Sequence, residues 1–180
     1  MVKINIGCGW RNFGKDWIHI DGGNYDHLDS KDITKLDYED NSVDLIYASH
    51  VLEYFDRIES VDLLIEWKRV LKVGGVIRLA VPDFHQMAHL YILAGYSLEE
   101  FLGPLYGKMD MGSEKIYHKT IYDEESITNV LDGMGFKNIK RYNWKDYPVH
   151  VENDDHSQAY KPNMDKENGT LISLNIKCNK

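Results

Sequence analysis

The sequence predicts an α/β fold: a mostly parallel sheet with helices on both faces and an antiparallel strand at the edge. Through the first half, strand-like runs rich in β-branched and aromatic residues alternate with helical or turn-like stretches, the order that builds parallel strands joined by crossovers. The two closing strand-like runs have no strong helix between them, which sets an antiparallel strand at the edge. At 180 residues, 43% hydrophobic and 28% charged, the chain is long enough for one domain with a substantial core.

Strands are expected at about 2–6, 17–20, 43–48, 76–81, 136–142 and 170–177, with a further short run at 28–33. A helix is expected over Arg57–Leu71, with Ile58, Val61, Leu64, Ile65 and Leu71 on one broad face and Gly74-Gly75 as its stop. Lys68 falls inside that stripe and must snorkel. A second helix is expected over Asp123–Met134, where Ile127, Val130, Leu131 and Met134 recur at helical spacing before Gly135. The aromatic and glycine-containing segment Pro82–His118 is expected above the strand ends as a cover. The polar stretch Glu152–Asn168 is long for an ordinary loop, which favours a functional or mobile one. No internal repeat or linker divides the chain.

The net charge of −8 argues against a nucleic-acid partner, because such affinity comes largely from basic side chains neutralising phosphates. No apolar run approaches the roughly 20 residues that span a bilayer, and Val2-Lys3-Ile4-Asn5 is no signal-peptide core, so a cytoplasmic protein is expected. Cys8 and Cys178 are the only cysteines and are expected as free thiols. His85 and His89 share a helical spacing, but no third ligand accompanies them, and no metal is expected.

The chemistry starts at Ile4-Asn5-Ile6-Gly7-Cys8-Gly9, followed by Trp17-Ile18-His19-Ile20-Asp21. Two glycines let backbone pass close under a ligand, and a carboxylate at the tip of the next strand can accept hydrogen bonds from a ribose diol. The bland alternatives are plain turn glycines and a turn-capping carboxylate beside Gly22-Gly23. Against a dinucleotide, Asp21 follows Gly9 by twelve residues, short of the roughly 20 usual there, and Asn12 stands where the third glycine would be.

Taken together, these residues resemble the class I S-adenosylmethionine (SAM) dependent methyltransferases, and within them the short methyltransferases often found with polysaccharide-biosynthesis genes. Gly7-Cys8-Gly9 looks like the first cofactor motif and Asp21 like the acidic end of the second strand. Asp32-Ile33 is similar to the adenine-flanking motif. Asn41 to Glu53 and Arg69 to Gly75 resemble the segments around the family's fourth and fifth strands. Departures are Asn5 where many members carry an acid, and Arg11 where a third glycine is common. With nothing before the first strand, the capping role is expected to fall to 83–118 and 152–168.

The resemblance implies a Rossmann-like sandwich on a seven-stranded sheet, one domain over 1–180, SAM as cofactor and S-adenosylhomocysteine (SAH) as product. Asn5, Gly7, Cys8, Gly9, Asp21, Gly22, Asp32, Ile33, Ser49 and His50 would hold the cofactor. His50, at the carboxyl edge of the sheet, would take a proton from an attacking hydroxyl or else make an orienting hydrogen bond to the chain. His118 and Asp155 stand behind it as further catalytic candidates, with a buried structural role as the alternative for His118. Tyr54, Asp83, Gln158 and Tyr160 would meet the acceptor. The implied reaction is methyl transfer to a small polar acceptor, an oxygen of a sugar or surface-polysaccharide precursor, and a homodimer is compatible with it. The competing readings are a noncatalytic SAM-binding partner subunit or sensor, and an NAD-dependent oxidoreductase.

Overall fold

The computed structural model describes residues 1–112 and 114–180. Along the chain come β1 (Lys3–Ile6), β2 (Ile18–Ile20), β3 (Val43–Ser49), α1 (Glu59–Val70), β4 (Leu71–Pro82), α2 (Phe84–Leu93) and α3 (Leu102–Tyr106). Then follow the hairpin β5 (Met109–Asp110) and β6 (Lys115–Ile116), α4 (Glu124–Gly133), β7 (Lys137–Arg141), α5 (Pro148–Glu152), β8 (Tyr160–Lys161), β9 (Thr170–Leu171) and β10 (Ser173–Asn179). The main sheet has the order β2-β1-β3-β4-β10-β7, and β10 alone runs antiparallel to its neighbours.

Two details differ from expectation. The sheet has six strands rather than seven, because 28–33 contributes a single bridge, Ser30 to Ile20. Its polar residues turn instead: the Asp32 carboxylate accepts from the backbone of Thr34 and Lys35 and from the Thr34 hydroxyl. The antiparallel strand is also not the edge. β10 buries Leu174, Ile176 and Cys178 between β4 and β7, while the lysine-rich β7 is largely exposed and blunts the edge with charge.

Strand alternation divides the sheet into an apolar and a polar face. Ile4, Ile6, Ile46, Ala48, Ile77 and Leu79 enter the main core with Leu63, Leu64 and Trp67 of α1 and Ile127 and Leu131 of α4. Trp67, fully buried, anchors α1, and large apolar side chains buried like this contribute about 1.5–3 kcal/mol each. The stripe therefore runs through Leu63, Trp67 and Val70, and Ile58 and Ile65 are exposed, contrary to the pattern first read. Lys68 snorkels, its Nζ donating to the Met134 carbonyl over the Phe136 ring. Gly74-Gly75 do not stop the helix. Leu71 passes directly into β4, and the glycines lie at a register shift, where Val43 pairs with Leu71 and Leu45 with Val76.

The opposite face carries Asn5, His19, Tyr47, Arg78 and Asn175, all buried, beneath Phe13 and Trp17 of the β1–β2 loop and the short α5. Above the strand ends, α2 and α3 close over a small second core of Met87, Leu90, Phe101 and Ile172. No helix among the described residues is long and apolar enough to cross a membrane.

Candidate active site

β2 lies on one side of β1 and β3 on the other, so the chain reverses its direction of winding at β1. Ligands of open α/β sheets sit at such a switch point, beyond the carboxyl ends of the strands. Gly7, Asp21 and His50 follow β1, β2 and β3 there. Gly7 and Gly9 take positive φ, 68° and 57°, and the Gly7 amide donates to the Ile20 carbonyl. The Asp21 carboxylate, 8% exposed, accepts from the Gly9 amide at 2.8 Å and from the Gly23 amide at 2.7 Å. It thus ties the two turns together, and each oxygen keeps a lone pair for a further donor.

A cavity of about 420 Å³ opens over these residues. Gly7, Asp21 and Gly22 form its polar end, and Ile33, Val51, Phe55, Met109, Met111 and Ile116 its apolar walls. Its size is ordinary for a cofactor site; Glu114 and Lys119 also line it, and an apolar slot with Asp21 at its polar end suits a nucleoside. A second cavity of about 350 Å³ lies beside it, lined by Pro104, Lys108, His118, His156, Ala159 and Ile172. His50, Tyr54 and Met109 line both. A group passing from one ligand to the other would cross at His50 and Tyr54.

His50 adopts φ 55°, the left-handed region that few non-glycine residues enter, and its amide donates to the Ala80 carbonyl. That turn sets its Nδ1 2.9 Å from Oε1 of Glu53, a carboxylate with no exposed surface. Neither Glu53 oxygen has another hydrogen-bond partner among the described residues, and His118 Nε2 stands 4.0 Å away. With Nδ1 facing the carboxylate, Nε2 lies on the other side of the ring, 2.7 Å from the Ser173 hydroxyl oxygen. The same hydroxyl also reaches the His156 carbonyl.

His118 and His156 are walls of the second cavity, not cations. Burial lowers the pKa of His118, against the opposing charge of Glu53, and its Nδ1–H donates to the Pro104 carbonyl. Burial, with His50 next in effect, holds His156 down at about 4. The Tyr54 phenol is pushed up to about 12 by burial and then by Glu53, so it stays protonated. Cys8 is likewise pushed up to about 12, first by burial and then by Asp21, which removes it as a nucleophile at neutral pH.

The remaining residues singled out in the sequence lie elsewhere. Asn5, Cys8 and Ser49 line a cleft of about 10 Å³ with Arg11 and Asp155, space for one water at most. Asp32 caps its own exposed turn, while its neighbour Ile33 is on the cavity wall. Asp83 caps α2 through the Gln86 amide and pairs with Arg141. Gln158 is buried, donating to the His150 and Asn153 carbonyls, and the Tyr160 hydroxyl accepts from the Trp144 indole. In the sequence Glu53 is only the end of a segment that resembles the one around the family's fourth strand, and Met109 and Met111, in and beside the two-residue β5, have no period to read.

Asp155 is the centre of a buried network under the sheet's polar face. It accepts from the Tyr47 hydroxyl at 2.7 Å and the Ser157 amide at 2.8 Å, with His150 Nδ1 3.6 Å away. Burial alone would raise its pKa, but His150, Ser157 and Tyr47 outweigh it and bring it to about 2 from 3.8. A depressed carboxylate stabilises the fold above its ordinary pKa and loses that contribution as pH falls through the folded value. Asp155→Asn is therefore expected to cost roughly 2 kcal/mol at pH 7 and about half that at pH 3. Urea denaturation at both pH values checks this; an equal loss at pH 3 and pH 7 contradicts it.

The glycine turn has its own test. A Cβ on Gly7 would lie 2.2 Å from Val51 Cγ2, whereas one on Gly9 would meet nothing within 4 Å. Gly9→Ala should cost only the left-handed backbone penalty of about 1–2 kcal/mol, and Gly7→Ala about 2–5 kcal/mol. Equal denaturation midpoints for the two variants would show that Val51 does not press on the turn.

The fold is an open α/β sheet with a crevice at its switch point, and it is similar to that of solved methyltransferase structures. A family model described as a methyltransferase domain matches residues 18–79. A SAM-dependent methyltransferase from Archaeoglobus fulgidus is similar at TM-score 0.59 and 17% identity, covering 99% of this chain and 85% of that one. One from Methanosarcina mazei is similar at 0.57 and 18%, covering 99% and 91%. The Burkholderia thailandensis 1,6-didemethyltoxoflavin-N1-methyltransferase, solved with 1,6-didemethyltoxoflavin and SAH, is similar at 0.56 and 11%, covering 99% and 70%. No curated protein matches the chain.

Proposed function

We propose that the chain is a SAM-dependent methyltransferase acting on a small polar acceptor, an oxygen of a sugar or surface-polysaccharide precursor. The observation that carries the reading is the pair of adjoining cavities that share His50, Tyr54 and Met109. Asp21 would hold the ribose and Ile33 and Met111 the adenine. Bound there, the cofactor supplies a methyl group already activated by its sulfonium leaving group. The protein then contributes alignment and exclusion of water. Segment 83–118 acts as the lid, bringing Met109 and Met111 over the donor cavity and Pro104, Lys108 and His118 around the acceptor cavity.

His50 Nε2 takes the acceptor's proton. Its present partner, Ser173, has a second acceptor in the His156 carbonyl and can release the ring nitrogen. Support for a hydroxyl-rich acceptor comes from the polar lining of the second cavity, Lys108, Tyr54 and three histidines, and from the family resemblance of the sequence. The buried free thiols Cys8 and Cys178 support a reducing, cytoplasmic setting.

Titration calorimetry with SAH and with NAD tests the first step. Saturable SAH binding in preference to NAD is expected; no SAH binding, or tighter NAD binding, overturns the reading. Label transfer from methyl-labelled SAM into a crude acceptor pool then separates an enzyme from a noncatalytic SAM sensor.

A further inference from the structure

We propose a second ligand site, a groove of about 440 Å³ on the polar face of the sheet that takes a small organic oxyanion on Arg78, Lys177 and Lys140. These three cations are direct cross-strand neighbours: Lys177 of β10 pairs with Arg78 of β4 on one side and Lys140 of β7 on the other. Like charges placed opposite one another on adjacent strands destabilise a sheet unless an anion lies between them.

Arg78 shows the deficit most clearly. It is 3% exposed, yet among the described residues only one of its five N–H donors has a partner, Nη1 to His150 Nε2 at 3.5 Å. Its Nε has none among the described residues. The guanidinium lies 4.0 Å over the Tyr147 ring, and the nearest acid of the network, Asp155, is separated from it by His150. Burial pushes the Arg78 pKa down, a direction that an arriving anion reverses.

A buried cation so poorly paired is costly, and a bidentate oxyanion is the partner its fork geometry fits. Asp44 on the groove rim does not serve, because Lys72 Nζ and the Val2 amide already hold it at 2.8 and 2.7 Å. Lys177 Nζ donates to the Tyr147 hydroxyl at 3.0 Å and remains on the groove wall with two further N–H donors. Leu45, Val76 and the Tyr147 ring give the organic part of the ligand an apolar surface. The ligand is small rather than polymeric, since the chain's net charge of −8 would repel an extended polyanion.

The groove lies toward the amino ends of the parallel strands and shares no lining residue with the two cavities at their carboxyl ends. Its test is therefore independent of the methyl-transfer reading. Inorganic phosphate and succinate are each titrated into the full chain at constant ionic strength, with amide chemical shifts as the readout. Saturable shifts at Arg78, Tyr147 and Lys177 are expected, and the anion that saturates first names the group bound. Lys140→Ala/Lys177→Ala, which leaves Arg78 and the core intact, should weaken binding at least about tenfold without changing SAH affinity. No saturable shift with either anion, or an unchanged affinity in the double variant, overturns the proposal.

Discussion

Asp21→Ala is expected to lose measurable affinity for SAH and to cost the fold about 3–6 kcal/mol, the sum of two hydrogen bonds to a charged acceptor. The two losses share one cause. The carboxylate joins the Gly9 turn to the Gly23 turn, and these turns form the polar end of the donor cavity. With the carboxylate gone, two amide donors lose their acceptor, and the cavity loses the carboxylate beside Gly7 and Gly22. Asp21→Asn separates the structural part from the binding part. An amide has one acceptor oxygen instead of two, so it can hold one turn but cannot also serve both turns and a ribose. It should recover part of the stability and still bind SAH at least about tenfold more weakly than wild type. Calorimetry and urea denaturation on the three proteins decide it, and wild-type SAH affinity in Asp21→Ala would remove Asp21 from the site.

How legible each part was follows from where its cause lies. Gly7, Gly9 and Asp21 could be read from sequence because their constraint is local: a left-handed turn and a strand-end carboxylate leave their mark in a dozen neighbouring residues. The apolar face was equally legible, since period-two alternation in β1, β3 and β4 needs no knowledge of partners. The α1 stripe was misread because Ile58 and Ile65 score as apolar while Trp67, which fills the core, lies on the side of the helix opposite to them. β10 could not be placed inside β7 by order along the chain, because both strands follow α4 and only the exposure of the β7 lysines tells edge from interior. The roles of Asp83, Asp155 and Gln158 were invisible for a different reason. Polar residues in a loop read as ligand-facing, and only tertiary contacts show that they face inward. Glu53 was hidden by the converse. It sits in the short turn Leu52–Tyr54, yet its side chain lies under His50, one of the three residues that both cavities share.

Glu53→Ala is expected to lower turnover about 10²-fold, the scale of a disabled general base, while SAH affinity changes little. Glu53 lines neither cavity and touches the reaction only through His50 Nδ1, which makes it a positioning residue. Glu53→Gln retains an acceptor oxygen for Nδ1–H and should fall between Ala and wild type. Stability should move the other way. A fully buried carboxylate whose oxygens lack other hydrogen-bond partners is a poor contributor to folding, so Glu53→Gln should be as stable as wild type or more so. A merely structural Glu53 would instead lose stability and activity together. Imidazole ¹⁵N spectra give a readout that needs no acceptor: His50 should be the Nδ1–H tautomer in wild type and in Glu53→Gln, and a mixture in Glu53→Ala. His50→Ala should match the loss in Glu53→Ala, and the double variant should lose no more than either, because the two residues act as one unit. Additive losses, or an unchanged His50 tautomer in Glu53→Ala, would show that the strained turn at His50 orients the ring without the carboxylate beneath it.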